Sequence, residues 1–207
     1  MTPSEYEHEP IRGLPGDLPP GERILWQGGP EWRTFARSAL HTRWVGLYFA
    51  AMAALALLSG SLGGLLAAAA SAAAVTGLLS LFAVLVARTT VYTITNRRVV
   101  LRVGVALQKC INLPLAVIGS AELRPLTGGH GDIVLVPNAV HRLGYAMLWP
   151  HARPLKIGRP QPMLRALPDA ANVADVLARA CGAIAPITRE DAPAVRPAAL
   201  PAQGVAA

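Results

Sequence analysis

The apolar positions of this chain are concentrated in one long run. Residues 44–87 contain no Asp, Glu, Lys, Arg or His, and Arg43 and Arg88 border the run. Because a bilayer core about 30 Å thick needs roughly 20 apolar residues per helix, the run is long enough for two spans. We therefore predict a transmembrane helical hairpin over 38–87, with spans near 40–59 and 65–87. The Ser- and Gly-rich stretch 59–64 is the predicted turn.

Outside this run, apolar and polar residues follow a period of two. Alternation over 90–95 and 98–103, with Asn96 and Arg97 between them, predicts a β-hairpin. A helical period then extends from Asp169, a candidate N-cap, to Cys181. Several short strands closed by one helix are typical of a small antiparallel β-sandwich or barrel. The further predicted strands lie at 24–26, 107–113, 118–124, 132–136 and 145–149.

These patterns divide the chain into five parts. Residues 1–21 and 183–207 are rich in Pro or Ala, and we predict that both are disordered. Residues 22–37 form a strand and the approach to the membrane, 38–87 the hairpin and 88–182 the soluble domain. The predicted fold class is membrane α+β: a two-helix transmembrane hairpin plus a small antiparallel β-sandwich or barrel closed by a C-terminal helix.

The charge distribution predicts the orientation of the hairpin. The chain has 19 Lys and Arg against 12 Asp and Glu, a formal net charge of +7. Arginines flank the apolar run on both sides, whereas its turn is uncharged. The positive-inside rule therefore places both termini in the cytoplasm. No cleavable signal peptide is expected, because the acidic residues 1–10 lack an apolar segment.

The residue types that carry chemistry are scattered. The five histidines and the two cysteines, Cys110 and Cys181, show no spacing typical of a metal site or a nucleophile–base pair. We predict no catalysis, no metal and no cofactor. His41, near the cytoplasmic end of the first span, is one candidate ligand for a tetrapyrrole magnesium. The alternative interpretation is an interfacial histidine hydrated by lipid headgroups.

The soluble domain is strongly basic. From Arg88 to Arg165, eleven Lys or Arg residues stand against Glu122 and Asp132. A domain of this charge held at a membrane suits anionic headgroups or an acidic partner, and its few aromatic residues argue against nucleic acid. The alternative interpretation of the arginines near the hairpin is that they are solvated strand ends. The block 159–165 is interpreted either as a docking edge for a partner or as a linker. The candidate contact residues are Arg97, Arg98, Arg102, Lys109, Arg159 and Arg165.

The order of these motifs resembles a known family. The segment 90–100, Thr-Val-Tyr-Thr-Ile-Thr-Asn-Arg-Arg-Val-Val, precedes Gly104 and the run Ile-Asn-Leu-Pro-Leu at 111–115. This order resembles the bacterial pleckstrin-homology domains that follow a membrane hairpin. The resemblance covers about residues 22–181 and implies that the β module is of pleckstrin-homology type. One departure is that Asn112-Leu113-Pro114 stands where a simpler Ile-Pro is usual.

Three further segments resemble a narrower group within that family. Residues 14–28, 159–165 and 168–171 are similar to photosynthetic complex assembly proteins of purple bacteria, the PuhB type. The resemblance implies a non-catalytic factor in the bacterial cytoplasmic membrane. Its implied partners are reaction-centre and core-antenna subunits, with anionic membrane lipids and a second copy of the chain as further candidates. A lipid-headgroup-binding module and an accessory subunit of another membrane complex are the alternatives.

Overall fold

The computed structural model describes residues 13–14, 16–138 and 144–184. Most of the two predicted disordered tails lies outside this part of the chain. Leu14, however, is only 1% exposed, and Gly13 packs directly on Val91. The Pro-rich composition predicts disorder over 1–21, which these two positions do not show.

The helices are α1 (Trp32–Ser38), α2 (Thr42–Leu58), α3 (Leu62–Thr89), α4 (Tyr145–Leu148) and α5 (Ala170–Ile184).

Two antiparallel sheets form the β module. The first sheet has the order β1-β2-β3-β4 and the second the order β5-β6-β7. The predicted hairpin is confirmed, since Thr93 pairs with Val100 and the turn consists of Asn96 and Arg97. The strands of the first sheet are β1 (Ile24–Gly28), β2 (Val91–Thr95), β3 (Arg98–Val103) and β4 (Lys109–Pro114). Those of the second are β5 (Ile118–Pro125), β6 (Gly131–Pro137) and β7 (Met163–Leu167).

The core lies between the two sheets and is closed by α5. Alternate residues of the central strands, such as Tyr92 and Leu101, point inward and are fully buried. Val173, Leu177 and Ala180 recur at helical spacing on α5 and pack into the same cluster. The prediction of antiparallel strands closed by a helix is therefore confirmed.

Two local predictions were wrong. Residues 145–149, predicted as a strand, form the single turn α4, in which the Leu148 N–H bonds to the Gly144 carbonyl. Tyr145 and Leu148 are three residues apart, so one helical turn brings both against the core. The second error concerns the block 159–165, interpreted as a docking edge or a linker. Residues 163–165 of this block belong to β7, which is buried at every position.

The apolar run folds into an antiparallel pair of helices, α2 and α3. Their turn is shorter than predicted, because Ser61 already caps α3 by accepting the Gly64 N–H at 3.1 Å. Among the described residues, α3 is the one helix that is long and apolar enough to cross a membrane alone. The 17-residue α2 meets the same criteria only together with α1, from which it is bent by 62°. A second span therefore remains a prediction.

Candidate functional site

Two of the candidate arginines lie side by side, Arg97 in the β2–β3 turn and Arg98 at the start of β3, and Arg97 is the more exposed of the two. The Arg98 guanidinium binds both carboxylate oxygens of Glu22, with N–O distances of 2.9 and 3.1 Å. The Glu22 side chain is 2% exposed, and it also accepts a hydrogen bond from the Thr95 hydroxyl. Burial raises the pKa of Glu22, but the hydrogen bonds from Arg98 and Thr95 outweigh it and lower the pKa overall. Arg98 is therefore a structural residue.

Asn96 links the β2–β3 turn to the segment before β1. Its side-chain oxygen accepts the Arg23 N–H, and its amide donates to the Gly21 carbonyl, both at 2.9 Å. The turn is thus tied to the chain segment that enters β1. Of the turn residues, Arg97 is the one that remains exposed.

The other candidate residues do not form one cluster. Arg102 is half-buried on β3 and hydrogen-bonds to Gln108, while Lys109 is exposed at the start of β4. Arg159 is exposed in the loop before β7. Arg165 contradicts its assignment as a contact residue, because it is 6% exposed within β7 and donates to the Ala152 carbonyl at 3.0 Å. The sequence could not reveal this burial, because nothing local marked 163–167 as a buried strand.

A buried polar cluster links β2 to the segment after α4. His151 is fully buried, with Nδ1 2.7 Å from the Tyr92 hydroxyl and Nε2 3.2 Å from that of Thr90. The Tyr92 oxygen also accepts the Arg165 N–H at 3.2 Å. Burial, reinforced by the charge of Arg165, lowers the pKa of His151 to about 3. The imidazole is therefore neutral at physiological pH.

Asp132 belongs to the same buried region. Its carboxylate accepts the Ala166 N–H at 2.8 Å. Burial raises the pKa of Asp132, and the hydrogen bond from Ala166 and the charge of Arg165 offset only part of that shift. Sequence reasoning missed this cluster because its members are up to 73 residues apart.

The helices are fixed to the β module by a second apolar cluster. Phe35 of α1 and Ala83 of α3 are both fully buried there against Ala166 of β7. Glu31 caps α1 through its side chain, and its N–H donates to the Ala166 carbonyl at 2.8 Å. On another side of α3, Phe82 stacks on Trp149 with 5.6 Å between ring centroids. These contacts set the direction in which α2 and α3 leave the module.

Beyond this junction, the helical pair exposes a large apolar surface. No residue of α2 is buried, and α3 buries only Ala83 and Val86. A cleft of about 470 Å³ lies between the two helices on the side of their turn, and small residues such as Ala56, Gly64 and Ala67 form part of its wall. Exposed apolar area on this scale is typical of contact with lipid or another protein. The exposed large side chains include Trp44, Leu47, Tyr48, Leu55, Leu57, Leu58, Leu62, Leu66, Leu78 and Leu81.

The remaining candidate residues stand apart from one another. His41 is exposed between α1 and α2, in the left-handed conformation with φ 54°. Cys110 and Cys181 are half-buried. In the described part of the chain, no three His, Cys, Asp or Glu side chains come together as a possible metal site.

Comparison with known proteins gives three results. The bacterial PH domain family matches residues 44–180. A 23.7 kDa protein of Rhodobacter capsulatus, described as uncharacterized and located in the puhA 5′ region, is 40% identical over 193 residues. The aligned part is 88% of this chain and 90% of that protein. A DUF1696 family protein with a pleckstrin-homology domain from Shewanella loihica is 15% identical, with a TM-score of 0.29, over 44% of this chain and 70% of that one.

Proposed function

The chain belongs to the bacterial PH domain family, and from that premise we propose that it is a non-catalytic membrane assembly factor. It promotes assembly of the photosynthetic reaction centre with its core light-harvesting antenna. The observation that carries the proposal is the 40% identity with the Rhodobacter capsulatus protein of the puhA 5′ region. The sequence resemblance to PuhB-type assembly proteins supports the same function.

The helical pair is the element that contacts partner subunits in the membrane. In this proposal α2 and α3 both cross the bilayer, and their arginine-rich flanks hold both termini in the cytoplasm. Without a hydrophobic force between helices in lipid, small residues such as those of the α2–α3 cleft allow the close packing that association needs.

The β module then holds the cytoplasmic ends of the same subunits. Arg97 at the β2–β3 turn and Lys109 on β4 are exposed cations on a module anchored firmly to the helices. Charges of this kind steer and orient an acidic partner more than they add affinity. We propose that the protein stabilises partly assembled intermediates and then leaves.

Deletion of the gene in its phototrophic host tests the proposal. Near-infrared membrane spectra are expected to lose reaction-centre and core-antenna absorption, and the intact gene is expected to restore it. Complementation with Arg97→Glu is expected to restore less than complementation with Arg179→Glu, a matched charge reversal on the exposed side of α5. Unchanged spectra after deletion would overturn the proposal.

The main alternative is a module that only binds lipid headgroups. The surplus of exposed cations favours this alternative. The two functions differ in what Arg97→Glu changes. If the protein only binds headgroups, Arg97→Glu is expected to abolish flotation of the purified protein with anionic liposomes. If it is an assembly factor, Arg97→Glu is expected to reduce the amount of pigment complexes in the membrane. An accessory subunit of another complex would instead copurify with a catalytic chain outside any photosynthetic complex.

A further inference from the structure

A basic cavity lies where three elements meet at the junction of helices and β module. It is an open cavity of about 390 Å³, bordered by α1, the start of α2 and the turn between β5 and β6. Cavities that bind small ligands in proteins begin at about 300 Å³. The polar part of its wall consists of Thr34, Arg37, Ser38, Arg43 and Thr127.

The composition of this wall suits a phosphate group. It offers two guanidinium groups and the Thr127 hydroxyl, and none of its residues is acidic. The Thr34 side chain is instead hydrogen-bonded to the Glu31 carboxylate. Guanidinium groups bind phosphate oxygens through paired, charge-assisted hydrogen bonds. Ser38 also lines the cavity, but its hydroxyl is shielded from solvent and lies behind the surface of the wall.

The position of the cavity indicates where that phosphate comes from. Arg43 is the second residue of α2, and the uncharged run begins at the next residue, Trp44. Trp44 and Leu47 are 69% and 60% exposed on the first turns of α2. A free phosphate would gain nothing from these apolar side chains, whereas the glycerol and acyl chains of a lipid would cover them.

We propose that this cavity binds the phosphate of an anionic phospholipid from the cytoplasmic leaflet. Arg37 and Arg43 hold the phosphate oxygens, and Thr127 approaches them from the β5–β6 turn. A net negative lipid is favoured over a zwitterionic one, because the wall offers cations and no carboxylate to pair with a choline group. The inference rests on the membrane placement of α2 and α3 in the proposed function.

Native mass spectrometry of the purified full chain tests this site. Phosphatidylglycerol is expected to remain bound at least tenfold more than phosphatidylcholine, and Arg37→Gln/Arg43→Gln is expected to remove that excess. Lys156→Gln/Arg179→Gln, an equal loss of two charges at exposed positions outside the cavity, is expected to retain it. Inorganic phosphate at millimolar concentration is expected not to displace the lipid. Equal retention by the double variant, equal retention of both lipids, or displacement by inorganic phosphate would each overturn the proposal.

A second pair of variants avoids the helices altogether. Thr127 is exposed on the β5–β6 turn, so substitutions there leave α1 and α2 unchanged. Thr127→Asp places a carboxylate against the phosphate and is expected to lower phosphatidylglycerol retention at least fivefold relative to Thr127→Asn. Equal retention by these two variants would also contradict the site. Lipid retention is measured on the purified chain, whereas assembly is measured in whole membranes. The lipid site and the assembly function can therefore fail independently.

Discussion

At the scale of single residues, buried polar side chains carry much of the specificity of this fold. Glu22 joins the segment before β1 to the β2–β3 turn through Arg98 and Thr95. His151 joins the loop after α4 to β2 through Tyr92 and Thr90. Each link spans about 60 residues or more of sequence, so each one fixes a long-range contact that apolar packing alone specifies less sharply.

The Glu22–Arg98 pair is expected to stabilise the fold measurably. Glu22→Gln leaves the Arg98 guanidinium without its carboxylate and is expected to lower the free energy of unfolding by about 1–3 kcal/mol. Glu122→Gln is the matched control, because Glu122 and Arg153 form an ion pair at 2.9 Å with side chains that are 48% and 27% exposed. Its effect is expected to stay below about 1 kcal/mol. Chemical unfolding of the purified protein measures both, and equal effects would contradict the assignment.

The buried His151 is expected to make stability depend on pH. Its folded-state pKa of about 3 lies below the ordinary value of 6.5, so on acidification the unfolded chain takes up the proton first. Stability is therefore full above about pH 6.5 and falls as the pH drops from there toward 3, by at most about 1.4 kcal/mol per pH unit. Unfolding midpoints between pH 7.5 and 5 measure the slope. His151→Gln is expected to flatten it, whereas His41→Gln, at an exposed site, is expected to leave it unchanged.

At the scale of elements, the distinctive feature is the bend between α1 and α2. The sequence predicted only a strand and an approach to the membrane over 22–37, but the structure places a separate short helix, α1, over Trp32–Ser38, capped by Glu31. The chain turns at His41, whose left-handed conformation is accompanied by a 3.2 Å contact of Nδ1 with the Ala39 carbonyl oxygen. This bend brings Arg37 and Arg43 to the same cavity.

Substitutions at His41 test the bend. Glycine adopts the left-handed conformation freely, whereas a β-branched residue is strained there. His41→Val is expected to be less stable than His41→Gly by about 1–2 kcal/mol. Thermal unfolding of the two purified variants gives the comparison. Equal midpoints would show that the chain does not need the left-handed turn. A tetrapyrrole ligand at His41 would instead be revealed by loss of bound pigment in both variants.

At the scale of the whole molecule, the junction decides whether the helices and the β module act as one body. Ala83 of α3 and Ala166 of β7 are fully buried at that junction, where larger side chains have no space. A rigid connection allows a contact made by the helices in the membrane to position the module that lies outside it.

Enlarging Ala83 tests this connection. Ala83→Leu is expected to overpack the junction and destabilise the protein by about 1–3 kcal/mol. Ala73→Leu, an equal change at an exposed position of α3, is expected to have little effect. Unfolding of the purified variants measures stability, and near-infrared spectra of complemented membranes measure function. Full stability of Ala83→Leu would contradict the tight packing described for the junction.

The sequence alone determined the apolar helical run, the β2–β3 hairpin, most strand positions and the closing helix α5. These features depend on periodicity and turn chemistry, which residues close together in the sequence specify. Tertiary structure decided which arginines are available, because Arg98 meets Glu22 76 positions away and Arg165 lies on a strand that has no local signal. It also decided the His151 cluster and the basic cavity, since both are formed by side chains from segments far apart in the chain.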